Sequence, residues 1–172
     1  DLKFDRKMKN TYLDLIEQSF EFPQNGFNVE NDELQFHGIP LMDIIKQYGT
    51  PLKITYLPKI GAQVTKAKRL FNVAMAKVDY SGDYFYCYCT KSSHFSFVVE
   101  EALKHDIHLE TSSAYDFAIV KKLHEQQRIS QSTYIVCNGY KTPAYLKNIA
   151  DFITNGFSNI VPVLDNTDEL KS

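Results

Sequence analysis

The residues with the most chemical potential close short apolar runs. Lys91 ends the run Tyr84-Phe85-Tyr86-Cys87-Tyr88-Cys89-Thr90. In a strand it shares a face with Phe85, Cys87 and Cys89, because side chains alternate with a period of two. If that face is interior, the lysine is partly desolvated. Burial disfavours an ammonium, and the neutral amine is the form that attacks a carbonyl to make a Schiff base. The small thiols beside it leave room for a flat cofactor. The plain alternative is a lysine whose tip reaches solvent at a strand end. Glu110 ends the next apolar run and is placed to be a charge partner near Lys91, with Asp116 early in the helix that follows. Taken alone, a carboxylate between a strand and a helix reads more simply as a cap. Asn138 closes a third run and Asp165 a fourth. Ser92 or Ser93 is placed to cap a helix beginning near Phe95, which leaves His94 in its exposed first turn.

Other chemistries lack their residues. His105, His108 and His124 have no mutual spacing that builds a triad or a metal site, and His37 sits beside Gly38 in a turn. There is no G-x-S-x-G elbow for serine hydrolysis. The seven glycines contain no G-x-G pair and no Walker phosphate loop. Cys87, Cys89 and Cys137 lie inside apolar stretches and read as structural thiols in a reducing compartment. Cys87 and Cys89 alternate along one strand too far apart for a relaxed disulfide, and no second Cys or His pair completes a zinc site. With 19 Lys plus Arg against 21 Asp plus Glu, the net charge of −2 offers no footprint for nucleic acid or an anionic membrane. No apolar run approaches the roughly 20 residues of a membrane span, and Asp1 to Lys7 lacks the apolar core of a secretory signal. A cytoplasmic protein is expected.

The elements that must position these residues follow from periodicity. Residues 1–8 are charged and aperiodic and are read as a leader or expression remnant ahead of Met8. A lead-in over 9–58 comprises a short helix from Asn10 to Phe20, a break at Pro23, Asn25 and Gly26, a strand at Glu33 to Phe36, and a helix from Leu41 to Tyr48 capped by Gly49. Leu52 to Tyr56 reads as extended. Over 59–172, a long helix comes first, with Ile60, Val64, Ala67, Leu70, Phe71, Ala74, Met75 and Val78 along one side. Four apolar runs follow: Tyr84 to Thr90, Ile107 to Thr111, Thr133 to Asn138 and Asn159 to Leu164. Helices at about Phe95 to His105, Tyr115 to Gln127 and Pro143 to Asn155 separate them. Connections of that length, each holding one helix, make neighbouring strands parallel. The fold class is α/β. At 172 residues the length suits one open doubly wound sheet better than a complete barrel of about 250 residues, yet the phosphate loops usual to open sheets are missing. Both architectures gather ligands at the carboxyl ends of the strands.

Four stretches carry a family resemblance. Gly49-Thr50-Pro51-Leu52-Lys53-Ile54-Thr55-Tyr56 resembles the G-T-P-L-Y-V-Y segment of the alanine racemase and ornithine/diaminopimelate decarboxylase superfamily, the fold-type III pyridoxal phosphate enzymes. Tyr88-Cys89-Thr90-Lys91-Ser92-Ser93 resembles its Y-A-V-K-A-N motif, which puts the family's Schiff-base lysine at Lys91. Leu109 to Asp116 is similar to F-D-x-A-S-x-x-E, and Cys137-Asn138-Gly139-Tyr140-Lys141 to A-N-P-x-K. Over about residues 9–170 the chain is most similar to a bacterial group described as arginine decarboxylases.

The resemblance implies a (β/α)8 TIM-type barrel, of which this chain supplies the N-terminal half, about four βα units behind a short α/β lead-in. It implies pyridoxal 5′-phosphate as cofactor, held by Lys91, Glu110, Asp116 and Asn138. The implied reaction is decarboxylation of a basic amino acid, arginine to agmatine first, with diaminopimelate, ornithine or a carboxylated polyamine as alternatives. Active sites completed across a homodimer are also implied. Glu110 stands where relatives have Asp, Cys89 and Thr90 replace Ala and Val, and Gly139 replaces Pro, so substrate identity is open to change. The family's cofactor-stacking histidine, phosphate loop, ring-nitrogen carboxylate and partner-subunit residues come later than the fourth strand. This chain is therefore expected to be inactive alone. A finished, non-enzymatic open α/β module is the reading from a different class.

Overall fold

The computed structural model describes residues 26–171, which fall into two compact units, one ending at Ile54 and the other beginning at Thr55. The leader at 1–8 and the helix at Asn10–Phe20 lie outside the described residues.

In the first unit, β1 (Phe27–Glu30), β2 (Glu33–Phe36) and β3 (Ile39–Pro40) form an antiparallel meander. Its turns explain its form. Asn31 and Asp32 both take positive φ (53° and 60°), as do His37 and Gly38 (52° and 77°), the mirror-image turn that matches strand twist in two-residue hairpins. The Phe27 and Phe36 rings meet across the first hairpin at 4.6 Å. Helix α1 (Leu41–Tyr48) follows Pro40 and ends at Gly49, whose φ of 77° lets its N–H reach the Ile45 carbonyl at 2.7 Å. β2, α1 and the Gly49 cap match the sequence expectation. β1 and β3 were not expected, because each is short and pairs only through a turn whose residues are not the commonest hairpin pairs.

The second unit starts with α2 (Pro58–Lys77), opened by Pro58 in its first turn. Four strands follow, β4 (Cys87–Cys89), β5 (His108–Thr111), β6 (Ile135–Cys137) and β7 (Ile160–Pro162), alternating with α3 (Ser96–Leu103), α4 (Asp116–Glu125) and α5 (Pro143–Thr154). The strands are parallel and lie in chain order β4-β5-β6-β7. Tyr88, Leu109, Ile135 and Ile160 share one row of the register, and Cys89, Glu110, Val136 and Val161 the next. Leu109, Thr111, Ile135 and Cys137 are fully buried, whereas His108, Glu110 and Val136 between them are only partly so. One face therefore meets the helices. Val99 of α3, Phe117, Val120 and Leu123 of α4, and Tyr145 and Ile149 of α5 join Leu109 and Ile135 in a single core. The opposite face carries Cys87, Cys89, Glu110 and Val136.

Several boundaries differ from the sequence reading. Leu52–Tyr56 forms no strand, because an extended segment becomes one only by pairing, and nothing among the described residues pairs with it. The strand expected over Tyr84–Thr90 is paired only at Cys87–Cys89: it lies at the sheet edge, beside a four-residue neighbour. Of the expected apolar side only Val64 is buried along α2, while Leu70 and Phe71, and Val78 just past its end, are exposed. The cause is length. At 1.5 Å per residue α2 runs about 30 Å and α3 about 12 Å, so α3 covers less than half of it. No described helix is long and apolar enough to cross a membrane.

Candidate functional site

Residues that close the parallel strands converge at their carboxyl ends. Lys91 lies in a 3-10 turn, Thr90–Ser92, immediately after β4. The turn is anchored on each side. The buried Thr90 hydroxyl donates to the Glu110 carbonyl at 3.1 Å, and the Tyr88 hydroxyl donates to the Ser93 carbonyl at 3.2 Å. The Lys91 backbone N–H points at the Cys89 sulfur. The Lys91 side chain itself is exposed, and its ammonium takes no hydrogen bond or ion pair among the described residues. Partial desolvation of this lysine, conditional on an interior face, is not what the described residues provide: the side chain is exposed, and no described helix covers the face it extends.

Glu110 and Asn138 are brought together. The Asn138 Nδ2 donates to Glu110 Oε1 at 3.2 Å, and Asn138 Oδ1 accepts the Gly139 N–H at 2.9 Å. Gly139 holds φ 84°, and a Cβ there would stand 2.5 Å from the Ser112 carbonyl oxygen, so the backbone after β6 passes close under the β5 loop only because this residue is glycine. Cys87 and Cys89 lie on the same face as Glu110. Burial, and then the Glu110 charge, push both thiols above the ordinary cysteine value, so neither is a ready thiolate nucleophile at neutral pH.

Asp116 occupies a different position from the one expected of a cofactor contact. It is 2% exposed. Its Oδ2 accepts the Ser112 N–H at 2.6 Å, the Ser112 hydroxyl at 3.0 Å and the Ser113 N–H at 3.0 Å, and its Oδ1 lies 3.1 Å from His94 Nε2. Burial alone would raise its pKa, but these hydrogen bonds outweigh burial and hold the carboxyl below the usual aspartate range. With both oxygens engaged, Asp116 ties the loop after β4 to the loop after β5 rather than opening onto the site. Its partner His94 is therefore not in the first turn of α3: that helix starts at Ser96, and neither Ser92 nor Ser93 caps it, its N-cap being Phe95 with no side-chain bond. Sequence reasoning missed the His94–Asp116 pair. The Ser113-x-x-Asp116 spacing, half of a capping box, was the signal that Asp116 turns back on its own loop.

Sequence reasoning also missed Thr111 and Tyr145. Both are fully buried, their side-chain oxygens 2.8 Å apart, and the Tyr145 hydroxyl donates to the Asn138 carbonyl at 3.1 Å. Burial drives the Tyr145 pKa well up, so the phenol remains a donor at any working pH. Thr142, capping α5 through its side chain to the Tyr145 N–H at 3.2 Å, sets this tyrosine in the first turn. Among the described residues no group of three or more His, Cys, Asp or Glu side chains is arranged to hold a metal ion. No protein-family model matches the chain, and no curated protein matches it.

Proposed function

We propose that this chain carries the lysine-bearing part of a pyridoxal-phosphate-dependent decarboxylase of a basic amino acid, arginine first, and that its parallel sheet is the N-terminal half of a (β/α)8 barrel. One observation carries the reading: Lys91, Glu110 and Asn138 follow or end three consecutive strands of one parallel sheet, at the carboxyl edge where barrels gather their catalytic groups. The strand order supports the barrel. A doubly wound sheet reverses direction at a switch point, whereas β4-β5-β6-β7 runs in chain order with α3, α4 and α5 packed into one core.

The residues present fit the cofactor in part. An accessible primary amine stands at a strand end, and the face it extends is lined by two small side chains, Cys87 and Cys89. When bound, pyridoxal phosphate supplies an electron sink for the pair left as carbon dioxide departs. The chain's own part begins at the Lys91 Nζ, which must shed a proton before it can bond to a carbonyl carbon. Glu110, on the neighbouring strand, accepts from Asn138 Nδ2 through one oxygen, whereas both oxygens of Asp116 are engaged in tying its own loop to His94. Asn138 orients it. The three unpaired cysteines fit the reducing conditions of the cytoplasm.

Incubation with pyridoxal phosphate, borohydride reduction and peptide mass mapping tests this reading. Preferential labelling at Lys91, lost in Lys91→Ala, is the expected result, and carbon dioxide release by the full-length enzyme, compared across arginine, ornithine and diaminopimelate, ranks the substrates. The exposure of Lys91 favours a second reading, a non-enzymatic α/β module in which this lysine is an ordinary solvated residue. Labelling spread evenly over surface lysines, in this chain and again in a full-length chain, would establish that second reading and end the first.

A further inference from the structure

We infer that Tyr145 is a positioning residue for the Glu110 carboxylate, acting through Asn138 from the opposite side of the sheet. The hydrogen bonds form an unbroken line: Thr111 Oγ1 to the Tyr145 hydroxyl at 2.8 Å, that hydroxyl to the Asn138 carbonyl at 3.1 Å, and Asn138 Nδ2 to Glu110 Oε1 at 3.2 Å. Its two ends lie on different faces. Thr111 shares the buried row with Cys137, and Glu110 the half-buried row with Cys89 and Val136.

Each member lacks freedom to turn. The Tyr145 ring is fully buried, with Phe117 edge-on at 5.7 Å and the Lys141 Nζ 5.6 Å from its centroid. The Asn138 side chain is held at both ends, Oδ1 by the Gly139 N–H and Nδ2 by Glu110. A flexible Glu side chain at a strand end would otherwise swing into water at little cost. A buried tyrosine hydroxyl on the backbone of its hydrogen-bond donor fixes where that donor points. The purpose assigned to Glu110 rests on the decarboxylase reading. The positioning itself does not, and its test needs no cofactor.

The reporter is Cys89, beside Glu110. The charged groups bearing on its thiol are Glu110, which raises its pKa, and Lys91, which lowers it. The midpoint of its alkylation against pH, read by mass mapping on the 172-residue chain, reports where the carboxylate stands. Glu110→Gln is expected to move that midpoint down by about half a pH unit or more by removing the neighbouring charge. Asn138→Ala and Tyr145→Phe should each move it down by a measurable part of that shift. Neither should add to Glu110→Gln in the double variants. A Tyr145 that only stabilises the core would lower the melting temperature and leave the Cys89 midpoint in place, which overturns the inference. So would a Glu110→Gln variant with an unchanged midpoint. Should Tyr145→Phe not fold, the partly exposed Asn138→Ala and the conservative Asn138→Gln decide the matter: loss of the shift on restoring an amide donor supports the relay, and an unmoved midpoint in Asn138→Ala refutes it.

Discussion

Asp116→Ala separates a loop staple from a ligand contact. The wild-type carboxylate accepts three donors from Ser112 and Ser113 and one contact from His94, at 2.6 to 3.1 Å, and is 2% exposed. A hydrogen bond to a charged group contributes about 1.5–3 kcal/mol, and a buried N–H left without a partner costs about 1–3 kcal/mol. Water reaching the vacated space recovers part of this, so a loss of about 3–5 kcal/mol follows, a large share of a domain stability of roughly 5–15 kcal/mol.

The sign with pH is determined by the depressed pKa. In the unfolded chain Asp116 titrates near its ordinary value of about 3.9, and in the fold below it. Its contribution is thus complete above about pH 4 and is lost as pH falls through the lower folded value. Urea unfolding followed by the helical circular dichroism signal should show the gap between wild type and Asp116→Ala at full size at pH 7 and narrowing below about pH 4. A loss under about 1 kcal/mol at pH 7, paired with a loss of pyridoxal phosphate labelling at Lys91, would refute the staple and return Asp116 to the cofactor's surroundings.

Three other outcomes are expected. Gly139→Ala places a Cβ 2.5 Å from the Ser112 carbonyl oxygen at φ 84°, so a loss of about 1–3 kcal/mol is expected in urea titration. Ile135→Ala, at a fully buried position of the central strand pair, should cost about 2–5 kcal/mol in the same assay. His108 Nδ1 accepts the Tyr134 N–H at 3.2 Å, and burial lowers its pKa, so the fold holds it neutral. Its stabilisation is present at pH 7.5 and declines as pH falls below about 6.5, where the unfolded imidazole takes up a proton. His108→Asn keeps an acceptor that does not titrate, and its melting temperature should change less than that of wild type between pH 7.5 and 5.5.

The features legible in the chain alone are local. Apolar periodicity and turn residues located α1, α4, α5 and the four runs that hold the parallel strands, because a strand or helix buried on one side writes its period into the chain. The Gly49 cap was legible because its conformation excludes most other residues. The carboxyl ends of the runs place Lys91, Glu110 and Asn138 at one edge, since parallel strands with helical crossovers bring those ends together, although only Glu110 and Asn138 touch.

Pairing and burial belonged to the tertiary structure. The extended run at Leu52–Tyr56 has strand composition but no neighbour, and composition does not supply one. α2 carries an apolar stripe over its whole length, yet a short α3 buries only its first half. Asp116 read as one of several carboxylates near a lysine. Only the folded loops brought Ser112, Ser113 and His94 to both of its oxygens and closed it to anything else. Tyr145 lies within the helix expected from Pro143 to Asn155, with no role read from the sequence. Its hydroxyl became part of the site because a helix cap at Thr142 and the crossing from β6 to α5 set it beneath the Asn138 carbonyl, a juxtaposition that sequence spacing does not encode.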